Sequence, residues 1–261
     1  MDKFHFALHY LKYIFLRTNE HGVHSPFVFE LYNRVFKNNM PFYAYSKIEK
    51  LREKMLSDGR TVEVKDLGAG SGSGLKKSRT VAQITRTAAK EKKYAQLLFR
   101  LTDYFQPDLI LELGTSIGIG TMYLAIARSK STVITIEGCP ETQKIALENF
   151  RSAELANITA INGDFDIELP NLLAGPTSPD LVYFDGNHRR EATLRYFSAC
   201  LAKAHNNSVF IVDDIYWSKE MTEAWETIKA HPEVTVTLDL FQLGVVFFRK
   251  EQAKQHFILK Y

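Results

Sequence analysis

From Tyr94 onward the chain alternates short apolar runs with amphipathic ones, and this alternation constrains its fold more than any other feature. The runs DLILELG, TVITIE, ITAING, DLVYFDG and SVFIVDD read as strands. Between them stand GTMYLAIARS, PETQKIALENFRSA, REATLRYFSACLAKA and SKEMTEAWETIKAH, whose apolar positions recur at helical spacing. Strands this continuously apolar are buried on both faces, the condition of a parallel sheet covered by helices. The last two runs, VTVTLDLF and LGVVFFRK, are separated by too little chain for a crossover helix. They therefore pair antiparallel as a hairpin. The expected fold is α/β: a doubly wound sheet of seven strands, mostly parallel, with an antiparallel C-terminal hairpin strand.

Ahead of the alternation lies an N-terminal helical extension, expected over 1–57 and suited to capping a site or to dimerisation. A glycine-rich and basic flap or connector is expected over 58–93, and the main domain over 94–261. In the extension, Ser25 is placed to cap a helix that opens at Pro26. A further helix is expected from Ser46 to Leu56. The first stretch, MDKFHFALHYLKYIFLRTNEHG, is broken by His5, His9 and Lys12, so it offers no uninterrupted apolar span for a membrane. No small-residue cleavage site follows it, so a signal peptide is not expected. Phe4, Leu8, Leu11 and Phe15 share one helical face, which suits docking on the chain's own domain or on a second subunit. A peripheral membrane helix is the alternative, disfavoured because the opposite face is not strongly basic. The hydrophobic fraction of 45% and charged fraction of 24% are those of an ordinary globular protein, and a net charge of +3 does not demand a nucleic-acid partner. Cys139 and Cys200 form neither a metal spacing nor a disulfide framework, which fits a reducing, cytoplasmic setting.

Two glycine-rich loops compete for the role of cofactor loop: VKDLGAGSGSG, Val64 to Gly74, and LILELGTSIGIG, Leu109 to Gly120. Such a loop should follow a strand, open a helix, and be answered by an acid ending the next strand about twenty residues on. The second loop meets all three conditions, with Glu137 as the acid. The first lacks the following strand and acid, and reads as a turn or a flap. Gly114, Gly118 and Gly120 are spaced G-x-x-x-G-x-G, unlike the G-x-G-x-x-G of a pyrophosphate binder. A looser loop preceded by an acid, Glu112, suits S-adenosylmethionine (SAM), which carries a carboxylate, an amine and a sulfonium. Glu137 is placed to accept from both hydroxyls of a ribose.

ELGTSIGIG, together with the terminal hairpin, resembles the class I SAM-dependent methyltransferases, over roughly Tyr94 to Lys250. The resemblance implies a Rossmann-like sheet and a SAM site built from Glu112, Gly114, Thr115, Ser116, Gly118, Glu137, Gly163, Asp164, Phe165 and Asp185. In it Asp164 of INGDF accepts from the adenine amino group; Asp164 also stands where it can cap the next helix.

YFDGNH and IVDDIYW end strands that are neighbours in this fold, so Asp185, Asp213 and Asp214 gather at one place. Three carboxylates repel one another: either one is protonated, or a hard cation such as Mg²⁺, Ca²⁺ or Mn²⁺ sits among them. The set resembles the metal ligands of the cation-dependent, catechol-type O-methyltransferases. There a lysine follows the first acid by three residues; here it is His188, a candidate base, a partner of the ligands, or a helix N-terminal residue with no chemistry. DGNH also resembles a broader methyltransferase group with Asp-Gly-x-His at this place. The alternative for Asp213 and Asp214 is one cofactor or loop contact and one solvated side chain. Lys76 to Lys93 reads as a solvated basic helix face, and His21 and His24 as loop histidines near a substrate or in solvent.

The reading that follows is O-methylation of a small hydroxylated acceptor, with Asp185 and His188 as catalytic residues and a divalent cation at Asp185, Asp213 and Asp214. No membrane span or nucleic-acid partner is expected, and a homodimer would form through the N-terminal helices. RNA modification, an NAD-dependent oxidoreductase and a non-catalytic SAM-binding scaffold are the rivals.

Overall fold

Strand-forming runs in this chain are short, and most are followed by a helix, so the chain winds through elements of three to fourteen residues. The computed structural model describes residues 3–65, 76–176 and 178–261. The glycine-rich stretch Gly68 to Gly74 lies outside them. In chain order the elements are α1 (Lys3–Leu16), α2 (Pro26–Leu31), α3 (Tyr43–Leu56), β1 (Thr61–Lys65), β2 (Lys76–Thr80), α4 (Val81–Ala88) and α5 (Lys92–Phe105). There follow β3 (Leu109–Leu113), α6 (Ile119–Ala127), β4 (Thr132–Glu137), α7 (Pro140–Ser152), β5 (Ile158–Asn162), α8 (Phe165–Ala174) and β6 (Leu181–Phe184). The chain closes with α9 (Arg190–Leu201), β7 (Val209–Asp213), α10 (Lys219–Ala230), β8 (Val236–Asp239), β9 (Leu243–Phe247) and β10 (Gln255–Ile258).

The chain divides into two compact units, Asn39–Gly175 and the pair of segments Met1–Asn38 and Pro176–Tyr261. In the first, β3, β4 and β5 lie side by side and parallel, with Leu113 opposite Ile136 and Glu137 opposite Asn162. Ile110, Leu111 and Leu113 of β3 are all buried, as their unbroken apolar sequence requires. A core cluster of this unit joins Tyr45, Ile48, Phe99, Met122, Tyr123 and Phe150. β1 and β2 form an antiparallel hairpin apart from this sheet. The basic stretch read as one helix face is thus β2, then α4, then the opening of α5. α4 is fixed at Thr80 by a reciprocal cap with Gln83 and buries Val81 and Ile84.

In the second unit the strand order is β10, β8, β9, β7, β6. β6 and β7 are parallel, β9 is antiparallel to both β7 and β8, and β10 is parallel to β8. The hairpin expected from VTVTLDLF and LGVVFFRK is β8–β9. β10 extends the sheet by one strand beyond those read from the sequence, because four residues with a mixed pattern give no strand signal of their own. Ser25 accepts from the Val28 N–H and Pro26 opens α2, as expected. No helix among the described residues is long and apolar enough to cross a membrane.

Candidate active site

Two groups of candidate residues stand at strand ends, one in each unit. In the first unit β3 runs out at Leu113 into a turn in which Gly114 and Gly118 take φ of +108° and +86°, and Ser116 takes +49°. Left-handed backbone favours glycine, and Gly118 has a second reason. A Cβ there would come within 2.5 Å of the Phe150 ring and 3.2 Å of Ala146. The turn is tied to the end of β4 by Glu137. Its Oε2 accepts from the Ser116 N–H at 2.7 Å and its Oε1 from the Cys139 N–H at 2.8 Å. The carbonyl of Glu137 accepts from the Gly163 N–H at 3.0 Å, so the ends of β3, β4 and β5 are joined through one residue. Gly163 is itself crowded: a Cβ would lie 2.5 Å from the Glu168 side chain. Asp164 is exposed and caps α8, accepting from the Asp166 N–H at 2.9 Å, while Phe165 begins that helix and is half-buried.

Glu112 is different. It is 1% exposed. Its Oε2 accepts from the Thr121 and Thr135 hydroxyls at 2.5 and 2.6 Å, and Thr115 and Thr135 share a further hydrogen bond at 2.5 Å. Burial pushes the Glu112 carboxyl up to about 7, against the pull of its two hydroxyl donors, with the nearby Glu137 charge adding to the rise. Glu112 therefore sits beneath the turn, holding α6 and β4 to β3. Thr121 and Thr135, which sequence reading missed, are what make its burial tolerable. Nothing in their spacing announces that role.

In the second unit the register of β6 and β7 sets Phe184 opposite Val212, so the residues that follow, Asp185 and Asp213, leave the two strands side by side. The chain then turns through Asn187, with φ of +52°, into α9, and through Asp214, with φ of +54°, into α10. Asp185, His188 and Asp213 each present a ligand atom, all within 4.8 Å of one another. His188 Nε2 lies 3.8 Å from Asp185 Oδ1 and 4.0 Å from Asp214 Oδ2. The Tyr183 hydroxyl, absent from the sequence reading, donates to Asp185 Oδ2 at 2.8 Å and orients it. Asp213 is buried, and the other three are partly exposed. His188 thus joins Asp185 and Asp213 in the set of close ligand atoms, and Asp214 stands beside His188. His21 is exposed and bonded within its own turn, where Asn19 caps the Glu20–Gly22 segment.

Fold and sequence together define a class. Residues 111–215, the stretch from β3 past the end of β7, match the family model described as "Methyltransferase domain". No protein of curated function matches the sequence. Among solved structures, the O-methyltransferase TomG from Streptomyces achromogenes, involved in Tomaymycin synthesis and held in complex with SAM, is similar at 18% identity and a TM-score of 0.56. The similarity covers 80% of this chain and 91% of that one. The methyltransferase PaMTH1 from Podospora anserina, bound to SAH, is similar at 14% identity and a TM-score of 0.57, over 82% and 99%. An O-methyltransferase from Bacillus cereus in complex with SAH is similar at 16% identity and a TM-score of 0.55, over 82% and 95%. The fold is the Rossmann-like α/β fold that these methyltransferase structures share.

Proposed function

We propose that the chain is a SAM-dependent O-methyltransferase of a small hydroxylated acceptor, cytoplasmic, assisted by a divalent cation, and working as a homodimer through its N-terminal helices. The observation that carries this reading is the close set Asp185, His188 and Asp213 at the ends of two parallel strands inside the stretch that matches a methyltransferase domain. The cofactor residues fit SAM by their chemistry. Glu137 ends β4 beside the turn, its carboxylate oxygens held there by backbone N–H groups, and a carboxylate so placed suits the hydroxyls of a ribose. Asp164 is exposed at a helix start, open to an exocyclic amine. Gly114, Thr115, Ser116, Gly118, Gly163 and Phe165 supply the backbone that approaches the ligand, and Glu112 holds that backbone in shape.

Bound SAM would supply an electrophilic methyl group on a sulfonium. The chain's own work is to hold the acceptor oxygen in line with that carbon and to take up its proton. His188, beside Asp185 and Asp214, is placed to receive it or to share a cation with Asp185 and Asp213. Two carboxylates and an imidazole suit Mn²⁺ and its neighbours in the first transition row better than the all-oxygen set the sequence suggested. Such a cation would lower the pKa of a bound hydroxyl. Asp185 is assigned to orient the acceptor. The test is calorimetric binding of SAM, followed by a methylation assay on hydroxylated metabolites with and without chelator. Heat with SAM and none with NAD, and turnover lost in Asp185→Ala, are expected; undiminished turnover in that variant would overturn the assignment.

A further inference from the structure

α1 is seated by one face and bare on the other. Phe6 and Tyr13 pack on Phe241, with ring centroids 4.9 and 5.4 Å away, and His9 stacks on Tyr216 at 4.8 Å. His5 shares a hydrogen bond with Thr222 at 2.9 Å, and the Tyr13 hydroxyl donates to the Leu259 carbonyl at 2.7 Å. These contacts fix the rotation of the helix. The stripe that the sequence marks as apolar, Phe4, Leu8, Leu11 and Phe15, is then turned outward, at 79%, 56%, 56% and 83% exposure. Leu16 is also exposed, while Tyr10 lies on the seated side, its ring 5.0 Å from that of Phe241. Taking about 150–250 Å² for a side chain of this size, the four stripe residues leave roughly 400–700 Å² open. That reaches the top of the roughly 300–600 Å² range of the largest apolar patch on a typical monomer and supplies most of the roughly 800 Å² per partner of a standard interface.

We propose that a second copy of this chain covers the stripe, with the two α1 helices antiparallel about a two-fold axis between residues 9 and 10. Three observations select this occupant. The spacing of the stripe is four, three, four, the seam of one helix packed on another. The stripe also reads the same in both directions, Phe, Leu, Leu, Phe. An antiparallel two-fold therefore sets Phe4 against the partner's Phe15 and Leu8 against the partner's Leu11, which is the self-complementarity an isologous interface demands. Lys12 then faces the partner's Ala7, so like charges do not meet. A lipid surface fits less well, since an interfacial helix carries a strongly basic polar face and α1 contains only Lys3 and Lys12 besides its histidines. The proposal rests on the homodimer reading and gives it a register. It also links the interface to the site, because Tyr216, under His9, follows Asp213 and Asp214 by two to three residues.

Sedimentation at micromolar concentration tests the dimer without cofactor or turnover, so failure of SAM binding would leave this result intact. Twice the 29.9 kDa of the chain is expected. Leu8→Glu/Leu11→Glu should sediment as a monomer with an unchanged circular-dichroism spectrum, since both side chains are exposed. Mixing a Leu8→Cys protein with a tagged Leu11→Cys protein under mild oxidation should give a covalent heterodimer several-fold faster than either alone. Cys139 and Cys200 are buried and add little background. A monomeric wild type would overturn both the dimer and the seam, as would capture of that monomer by anionic vesicles. A dimer that survives the glutamate variant, or Leu8→Cys joining chiefly to itself, would leave the homodimer standing and overturn the antiparallel seam.

Discussion

Glu112 ties one side chain to a pH dependence of the whole unit. Its folded carboxyl titrates at about 7, against an ordinary 4.5, so between these values the folded state holds a proton that the unfolded chain has released. Stability therefore falls as pH rises through that window, by on the order of 3 kcal/mol at about 1.4 kcal/mol per tenfold. Glu112→Gln should remove this slope. Its urea midpoint, compared with that of the wild type, should gain between pH 5 and pH 8; parallel profiles would show the charge is not the cause. Glu137 has a different task, since its oxygens hold the Ser116 and Cys139 N–H groups that shape the turn. Glu137→Ala should weaken SAM binding by more than about tenfold, the scale of one lost charged hydrogen bond, read by calorimetry. Both acids were legible in the sequence as strand-end carboxylates. That one lies beneath the turn and the other beside it was not, because the difference depends on Thr121 and Thr135 reaching Glu112 from another helix and strand.

Helix starts carry much of the organisation at the level of elements. α6 begins at Gly118, where backbone sign and the Phe150 ring both refuse a side chain. Gly118→Ala should destabilise the protein by about 1–3 kcal/mol, measured by denaturant unfolding, with the m-value unchanged. α8 is capped by Asp164, which the proposed function also gives to the cofactor. Ser can cap about as well as Asp but reaches less far. Asp164→Ser should thus hold stability within a few tenths of a kcal/mol while SAM affinity drops by about tenfold; unchanged affinity would leave Asp164 a cap alone. The β8–β9 hairpin was legible because its linker is too short for a crossover. β10 was not, since its pairing with β8 is decided by where the chain returns. The basic run from Lys76 was misread as one helix because charge masks the β1–β2 pairing, which no period-two apolar pattern announces.

For the molecule as a whole, ligand linkage gives the broadest test. Saturating SAM at a hundredfold above its Kd should add about 2.7 kcal/mol, a rise in melting temperature of several degrees, and NAD should add none. Mn²⁺ should raise the melting temperature of the wild type further, and this increment should vanish in Asp213→Ala and in His188→Ala. A metal increment that persists in both variants would place the cation elsewhere.

The amino-acid sequence determined the class of the fold and the order of its elements. Apolar runs of strand length, helical periods between them and a terminal pair without a crossover leave few topologies, because burial and backbone hydrogen bonding act locally along each run. It also fixed which acids end strands. Only the tertiary structure decided which side chains meet. Register brings Asp185 beside Asp213, a left-handed residue at Asn187 swings His188 toward them, and aromatic packing on Phe241 rolls α1 until its apolar stripe faces outward. Each of these depends on contacts between residues distant in the chain, and no local pattern encodes a distance in space.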